Sequence, residues 1–264
     1  MLFRKIALFA VLALASPAFG AELTVDDKHV FLGDTSITLR VYSKAGGPTF
    51  IRVHQNETDA GIVGQRIVAE LGGRFTDIVH TGERNITFTM SGHRFSIDPN
   101  RIFTKEAVEK AVRPNAKYDV MSIRTQIASF ASAVLELVGV RRPLIALHNN
   151  RGGLFRLATY QKGGLMYRDG KTFAHEGKTG RHNFVIVTKR ELADKFVELG
   201  VSVVYQPLAA DVNDGSLSYR YGRDGVAYVN VETLFGQRDL QMRLAREAAR
   251  VLGEQPTTVA HPDF

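Results

Sequence analysis

TFIRVHQNE, residues 49–57, is the stretch on which the interpretation of the whole chain depends. Its apolar, β-branched part ends in His54, and three residues later Glu57 opens a segment with helical periodicity. This order delivers an imidazole and a carboxylate to the same end of a strand. A zinc ion takes about four nitrogen, oxygen or sulfur ligands, and a catalytic zinc keeps one position for water. The stretch therefore predicts two metal ligands and requires a third from elsewhere.

Strand patterns precede this stretch, and strand and helix patterns alternate after it, which favours an α/β fold. The predicted strands cover residues 30–32, 37–42, 49–54, 75–80, 86–90, 94–97, 144–147, 184–187, 201–205 and 226–231. The predicted helices cover residues 57–71, 118–138, 188–199 and 239–252. Thr188 with Glu191 predicts a capping box at the start of the third. The apolar face of the second should consist of Met121, Ile123, Ile127, Phe130, Val134, Leu137 and Val138. Residues 151–181 are glycine-rich, which predicts a looped stretch. We expect one domain built on a mixed, mostly parallel, twisted sheet with helices on both faces.

The N-terminal segment has the pattern of a secretory signal peptide. Arg4 and Lys5 precede an apolar run over residues 6–15, and small residues then lead to Ala21. The apolar run is much shorter than the roughly 20 residues that a membrane-spanning helix needs. We therefore expect a signal peptide at residues 1–20 and a catalytic α/β domain at residues 21–264. The mature protein should be periplasmic or secreted, with no stable membrane insertion after cleavage.

Composition excludes several classes of function. The 264 residues include no cysteine, which excludes disulfides, a thiolate nucleophile and a cysteine-based zinc site. The formal net charge is +7, but no basic run is interleaved with aromatic residues as a nucleic-acid groove requires. We therefore predict no nucleic-acid partner. The positive balance is typical of a solvated surface, which in an exported protein can meet anionic cell-wall material.

Polar residues follow directly on three of the predicted strands. His54, His148 and Glu232 each come after an apolar run, and ligands of open α/β sheets bind beyond the carboxyl ends of the strands. Either histidine can instead cap a loop. A carboxylate at the end of a buried strand requires a cation or a solvent-filled cleft, because burial without partners costs several kcal/mol. His80 also ends a predicted strand and is a rival metal ligand.

The chain resembles the zinc metallocarboxypeptidases, and in particular a short, exported bacterial member of this carboxypeptidase A-like family. The resemblance covers roughly residues 50 to 235 and rests on the order of its motifs. These are HQNE (54–57), DPNR (98–101), the strand-ending His148, DGSLS (214–218) and YVNVE (228–232).

The resemblance implies a zinc site and a general base. His54, Glu57 and His148 would bind Zn²⁺ and leave one position for water, which is a His₂Glu ligand set. The metal would lower the pKa of that water and polarise the scissile carbonyl. Glu232 would take the proton from the water and pass it to the leaving amine.

The same resemblance implies how the substrate would be held. Asn100 and Arg101 would bind a terminal carboxylate, to which a planar guanidinium can donate two parallel hydrogen bonds. Without the other motifs, this pair would be interpreted as a turn with a solvated arginine. An arginine that stabilises the oxyanion is expected between Glu57 and Asn100, and both Arg84 and Arg94 qualify.

The chain departs from the family pattern at two places. A tyrosine is expected about twenty residues before the late glutamate, but Ala210 stands there, with Tyr205 upstream and Tyr219 and Tyr221 downstream. His148 is followed by two asparagines rather than by the usual Ser-Tyr. The role of the tyrosine therefore stays unassigned, and substrate specificity is not carried over.

Together these observations predict an exported zinc hydrolase that cleaves an amide bond near a free carboxylate. Its expected substrate is a peptide, with cell-wall peptides as one source. A related alternative is a zinc-dependent deacylase that acts on N-acyl amino acids. An alternative of a different class is a metal-free module that binds carboxylates. The presence of both Glu232 and a full ligand set argues against this module, because a binding protein has no need of a general base.

Overall fold

The computed structural model describes residues 22–114, 117–167, 172–207 and 213–253. The predicted signal peptide at residues 1–20 lies outside these ranges, so the division into a signal peptide and a mature domain stays a prediction. No helix in the described ranges is long and apolar enough to cross a membrane.

A sheet of nine strands forms the centre of the fold, and a separate two-stranded hairpin lies beside it. The hairpin consists of β5 (Ile86–Met90) and β6 (His93–Ile97). The strands of the large sheet are β1 (Thr24–Leu32), β2 (Thr35–Lys44), β3 (Thr49–Arg52), β4 (Gly73–Val79), β7 (Leu144–Asn150), β8 (Phe173–His175), β9 (Phe184–Val187), β10 (Ser202–Tyr205) and β11 (Tyr228–Leu234).

The order of strands in the large sheet is β1-β2-β4-β3-β7-β11-β9-β10-β8. The four central strands β4, β3, β7 and β11 are mutually parallel. Counting outward through the antiparallel pairs, six of the nine strands run in one direction, and β2, β9 and β10 run in the other. The prediction of a mixed, mostly parallel sheet is confirmed.

Helices cover both faces of this sheet. They are α1 (Thr58–Leu71), α2 (Lys105–Ala111), α3 (Val120–Val138), α4 (Arg190–Glu198), α5 (Leu217–Arg223) and α6 (Arg238–Gly253). Strand β7 shows why both faces need a cover. Its apolar run gives neither face polar side chains, as is typical of strands that are buried on both sides. Leu144 and Ala146 pack into the core with α3, whereas Ile145 and Leu147 pack into the core with α1, α4 and α6.

Helix α3 illustrates how local sequence sets the bounds of an element. The side chain of Asp119 accepts a hydrogen bond from the backbone N–H of Ser122, which satisfies a donor at the start of the helix. Gly139, with φ of 73°, ends it. The apolar face was predicted correctly at Ile123, Ile127, Phe130, Val134 and Val138, which are buried. Met121 was assigned to the same face but is 70% exposed.

Four predictions of local structure were wrong. The predicted capping box at Thr188 and Glu191 does not form, because α4 begins after Lys189 without a side-chain cap. Residues 173–175 of the glycine-rich stretch form the edge strand β8, and helix α5 was missed altogether. Strand β3 ends at Arg52, before His54.

His148 and Glu232 do not end their strands, as had been predicted, but lie inside them. Strand β7 continues to Asn150 and β11 to Leu234, because the two strands pair in parallel register along their full lengths. The backbone ladder thus continues past the apolar residues on which the prediction was based.

Candidate metal centre

A cleft of about 460 Å³ opens at the carboxyl ends of the central parallel strands. This is the end of an open α/β sheet at which ligands bind. Seven of the eight residues predicted for the site line the cleft: His54, Glu57, Arg84, Asn100, Arg101, His148 and Glu232. The eighth, Arg94, does not, because it lies on β6 of the separate hairpin with an exposed side chain.

His54, Glu57 and His148 form a buried group whose ligand atoms all lie within 4.8 Å of one another. Nδ1 of His54 is 2.9 Å from Oε1 of Glu57, and Nδ1 of His148 is 2.9 Å from Oε2 of the same carboxylate. In the part of the chain that the structure describes, this is the cluster of histidine and acidic side chains that could hold a metal ion. Two nitrogens and a carboxylate are suited to Zn²⁺.

A tight turn brings the first two of these side chains together. The backbone N–H of Glu57 donates to the carbonyl of His54 at 3.1 Å, and Glu57 then occupies the N-cap position of α1. The buried guanidinium of Arg52 supports this turn from below. It forms two hydrogen bonds with the carboxylate of Asp77, of 2.6 and 2.8 Å, and a third with the carbonyl of Gln55, of 3.0 Å.

Asp98 orients His54 and was missed as a site residue by the sequence analysis. Nε2 of His54 lies 2.9 Å from Oδ1 of Asp98, so its N–H can donate to that carboxylate. Burial would raise the pKa of Asp98, but the hydrogen bond to His54 outweighs it and the pKa is lowered. Metal-binding histidines usually donate their second ring nitrogen to such a carboxylate. The aspartate that opens DPNR (98–101) was therefore the available signal.

Acceptor atoms of this group lack hydrogen-bond donors, and a bound cation would satisfy them. With the Nε2–H of His54 directed at Asp98, Nδ1 of His54 and Oε1 of Glu57 are two acceptors at 2.9 Å, which require a shared proton or metal ion. Oε2 of Glu57 is close to His148 but lacks hydrogen-bond geometry. Burial would raise the pKa of Glu57, yet His148 and His54 lower it to about 2. Glu57 is therefore an ionised carboxylate held between two imidazoles.

Glu232 is a second buried carboxylate in the cleft and does not belong to the cluster. It lies opposite His148 in the register of β11 and β7. The amide of Asn230 donates to its Oε1 at 3.2 Å. Burial raises the pKa of Glu232, and the opposing effects of His148 and Asn230 do not cancel that rise. The Glu232 carboxyl group therefore holds a proton more readily than a solvated glutamate does.

Of the two candidate arginines, Arg84 is the one that reaches the centre. Its guanidinium lies 3.0 Å from Oε1 of Glu57 and 3.6 Å from Oδ2 of Asp98, and half of its side chain is exposed to the cleft. The prediction of Arg94 as a candidate is wrong, because its side chain is exposed on the hairpin and does not line the cleft.

Asn100 and Arg101 reach the cleft with partners of their own. Oδ1 of Asn100 accepts from the backbone N–H of Leu217 at 3.0 Å, at the start of α5. Arg101 lies 3.5 Å from the carboxylate of Asp214 and is 41% exposed. The guanidinium of Arg101 therefore already faces one carboxylate within the protein.

His80 and the tyrosines complete the comparison with the sequence. Nδ1 of His80 lies 3.1 Å from the hydroxyl of Thr81, and His80 is not part of the metal-binding group. Tyr221 is buried within α5. Tyr160 and Tyr228 line the cleft, although the sequence analysis did not single them out. The position of Ala210 lies outside the described residues.

No family model matches the chain, and no curated protein matches its sequence. Among solved structures, a protein proposed to be a metallopeptidase from Shewanella amazonensis is 16% identical, with a TM-score of 0.42 over 86% of this chain and 85% of that one. An aspartoacylase family protein from Mesorhizobium loti is 17% identical, with a TM-score of 0.47 over 89% of this chain and 68% of that one. A succinylglutamate desuccinylase/aspartoacylase from Rhodobacter sphaeroides is 12% identical, with a TM-score of 0.42 over 95% and 72%. These likenesses are too distant to assign an activity.

Proposed function

We propose that the protein is a zinc-dependent hydrolase that cleaves an amide bond near a free carboxylate, with peptides as its preferred substrates. One observation carries the proposal. The buried group of His54, Glu57 and His148 shares a cleft with a separate buried carboxylate, Glu232. A binding module would need neither the ligand set nor the second carboxylate, whose burial is costly. We also propose, from the sequence alone, that the protein acts in the periplasm or outside the cell.

Each residue of the cleft has a role in this proposal. A zinc ion held by His54, Glu57 and His148 would lower the pKa of a bound water and polarise the carbonyl of the substrate. Glu232 accepts the proton of the attacking water and returns it to the leaving amine. Arg84, at the edge of the cluster, offers positive charge where the carbonyl oxygen becomes negative.

Asn100 and Arg101 would bind the free carboxylate of the substrate. The guanidinium of Arg101 is partly exposed to the cleft and can pair with a carboxylate through two hydrogen bonds. Asp214 already faces this arginine, so a substrate that also carries an amine can pair with Asp214 while its carboxylate takes Arg101. We therefore favour the end of a peptide over a large neutral substrate.

Metal content tests the proposal first. Purified without chelator and supplied with zinc, the wild-type chain should hold about one zinc ion, and His54→Ala and His148→Ala should each abolish binding. His80→Ala is the matched control, because this histidine lies near the site and outside the cluster. If the wild type takes up no metal, the protein is better described as a metal-free binding module.

Activity on a panel of small amides tests the chemistry. Glu232→Gln should keep its zinc and lose about 10²- to 10⁴-fold in kcat, because only the proton acceptor is removed. The panel should pair di- and tripeptides with N-acyl amino acids. Hydrolysis of the acyl compounds alone would identify a deacylase. Full activity of Glu232→Gln would contradict the role of the glutamate.

A further inference from the structure

A buried polar network lies behind the metal centre, on the opposite face of β7. Asn149 follows His148 in that strand and borders the cleft, but its side chain points to the opposite face of β7, where its hydrogen-bond partners lie. It enters the layer between the sheet and helices α1 and α6, where most neighbours are apolar, among them Leu147, Val231 and Leu244. The side chain of Asn149 is buried there and makes three hydrogen bonds.

The first of these bonds holds the start of α1. Oδ1 of Asn149 accepts from the backbone N–H of Ala60 at 2.8 Å. A side chain at the N-cap position usually satisfies this donor. The N-cap residue here is Glu57, which makes no such bond and directs its carboxylate at the two histidines. Asn149 thus supplies from a distant strand the cap that Glu57 does not provide.

The other bonds connect Asn149 to β11 and α6. Its amide nitrogen lies 3.2 Å from the hydroxyl of Thr233 and 3.3 Å from Oε1 of Gln241. Gln241 is fully buried, and its own amide nitrogen donates to the backbone carbonyl of His148 at 2.8 Å. Thr233 is the residue after Glu232. The network therefore contacts the backbone of one metal ligand and lies one residue from the proposed base.

These contacts reach the start of α1, β7 and β11, the elements that carry Glu57, His148 and Glu232. Apolar residues of similar shape could fill this layer with little loss of stability, since replacing both partners of a buried hydrogen bond is nearly neutral. Polar side chains that make directional bonds fix separations that apolar packing leaves adjustable. The network is built to fix geometry more than to add stability.

We propose that Asn149 and Gln241 are positioning residues that set the separations between Glu57, His148 and Glu232. The inference rests on the proposed function, because it assumes that this group binds a metal. In this role, the amide groups of Asn149 and Gln241 would not touch a bound metal ion or substrate. They act through the helix start that carries Glu57 and through the carbonyl of His148.

Cobalt(II) is the probe that tests this proposal, because its visible absorption reports the geometry of the ligands. Gln241→Met should weaken cobalt affinity by about 10- to 100-fold, as changes to partners of metal ligands usually do, and should alter the absorption spectrum. Asn149→Asp keeps the acceptor for Ala60 and loses the donors to Thr233 and Gln241. Asn149→Asp should give a smaller loss of cobalt affinity and a smaller spectral change. It replaces Gln241→Met as the test if that variant does not fold.

Ser202→Ala is the matched control. Ser202 is fully buried on β10, and its hydroxyl accepts from the backbone N–H of Gly177 at 3.0 Å; neither residue lines the cleft. It should lower stability and leave cobalt affinity and spectrum unchanged. If folded variants of Asn149 and Gln241 bind cobalt as the wild type does, the positioning role is wrong while the proposed function stands. If the wild type itself binds no metal, the proposed function is wrong, and the positioning role is wrong with it.

Discussion

Two hollows lie at opposite ends of the central strands, and they differ in volume and in the burial of their charged side chains. The hollow at the amino ends, near Gly47 and Arg142, measures about 640 Å³, against about 460 Å³ for the cleft. Its charged side chains, such as Arg74, Glu136 and Arg142, are exposed to solvent. In the cleft, by contrast, Glu57 and Glu232 are buried. The cleft is therefore distinguished from the other hollow by its buried carboxylates and not by its volume.

The largest effect on stability should come from the buried ion pair beneath the cleft. Asp77→Asn keeps the shape of the side chain but leaves the guanidinium of Arg52 buried without its charged partner. Removing one member of such a pair costs about 3–5 kcal/mol of unfolding free energy. Chemical denaturation measures this loss. The double change Arg52→Met with Asp77→Leu should recover part of it, and a single-variant loss below about 1 kcal/mol would mean that the pair is hydrated.

A smaller, pH-dependent effect is expected at His80, next to the cleft. Burial, with the nearby charge of Arg52, lowers the pKa of His80 to about 4. In the unfolded chain, histidine takes up a proton near pH 6.5. The unfolded state therefore gains protons first, and the unfolding free energy should fall as the pH drops from about 6.5 to about 4.

His80→Gln should flatten this part of the stability curve. Unfolding of chelator-treated wild type and variant, measured at several pH values between 7 and 4, gives the contribution of His80 as the difference between the two curves. Parallel curves would show that His80 titrates alike in both states.

The smallest effect is expected at the other hollow. Arg142→Ala removes an exposed charge there and should change the unfolding free energy by no more than about 0.5 kcal/mol. Zinc content and hydrolysis should match those of the wild type. If Arg142→Ala lost metal or activity, the distinction between the two hollows would not hold.

The sequence predicted which residues form the metal centre better than it predicted the bounds of the elements that position them. His54, Glu57 and His148 meet as expected, because parallel strands present their carboxyl ends at one edge. The strand bounds were wrong at His148 and Glu232, since polar residues interrupt the apolar pattern while the ladder between β7 and β11 continues. Hydrogen-bond pairing between strands is invisible in a local pattern.

The choice between arginines and the role of Asp98 also required the fold. Arg84 and Arg94 are equivalent in a sequence that offers only their order along the chain. The hairpin β5–β6 forms a sheet of its own, and Arg94 on β6 is exposed and does not line the cleft. Asp98 meets His54 across 44 residues of sequence separation. Contacts of this kind depend on tertiary packing rather than on periodicity.

The in-register pairing of His148 with Glu232 has a consequence for how this chain can change. The distance between these two residues is set by the separation of two hydrogen-bonded strands, and no loop contributes to it. Insertions or exchanges in residues 151–167, which border the cleft through Phe155, Tyr160 and Met166, would reshape its wall and leave that spacing intact. In the proposed hydrolase, changes to this segment would therefore alter which molecules the cleft admits without altering the distance between His148 and Glu232.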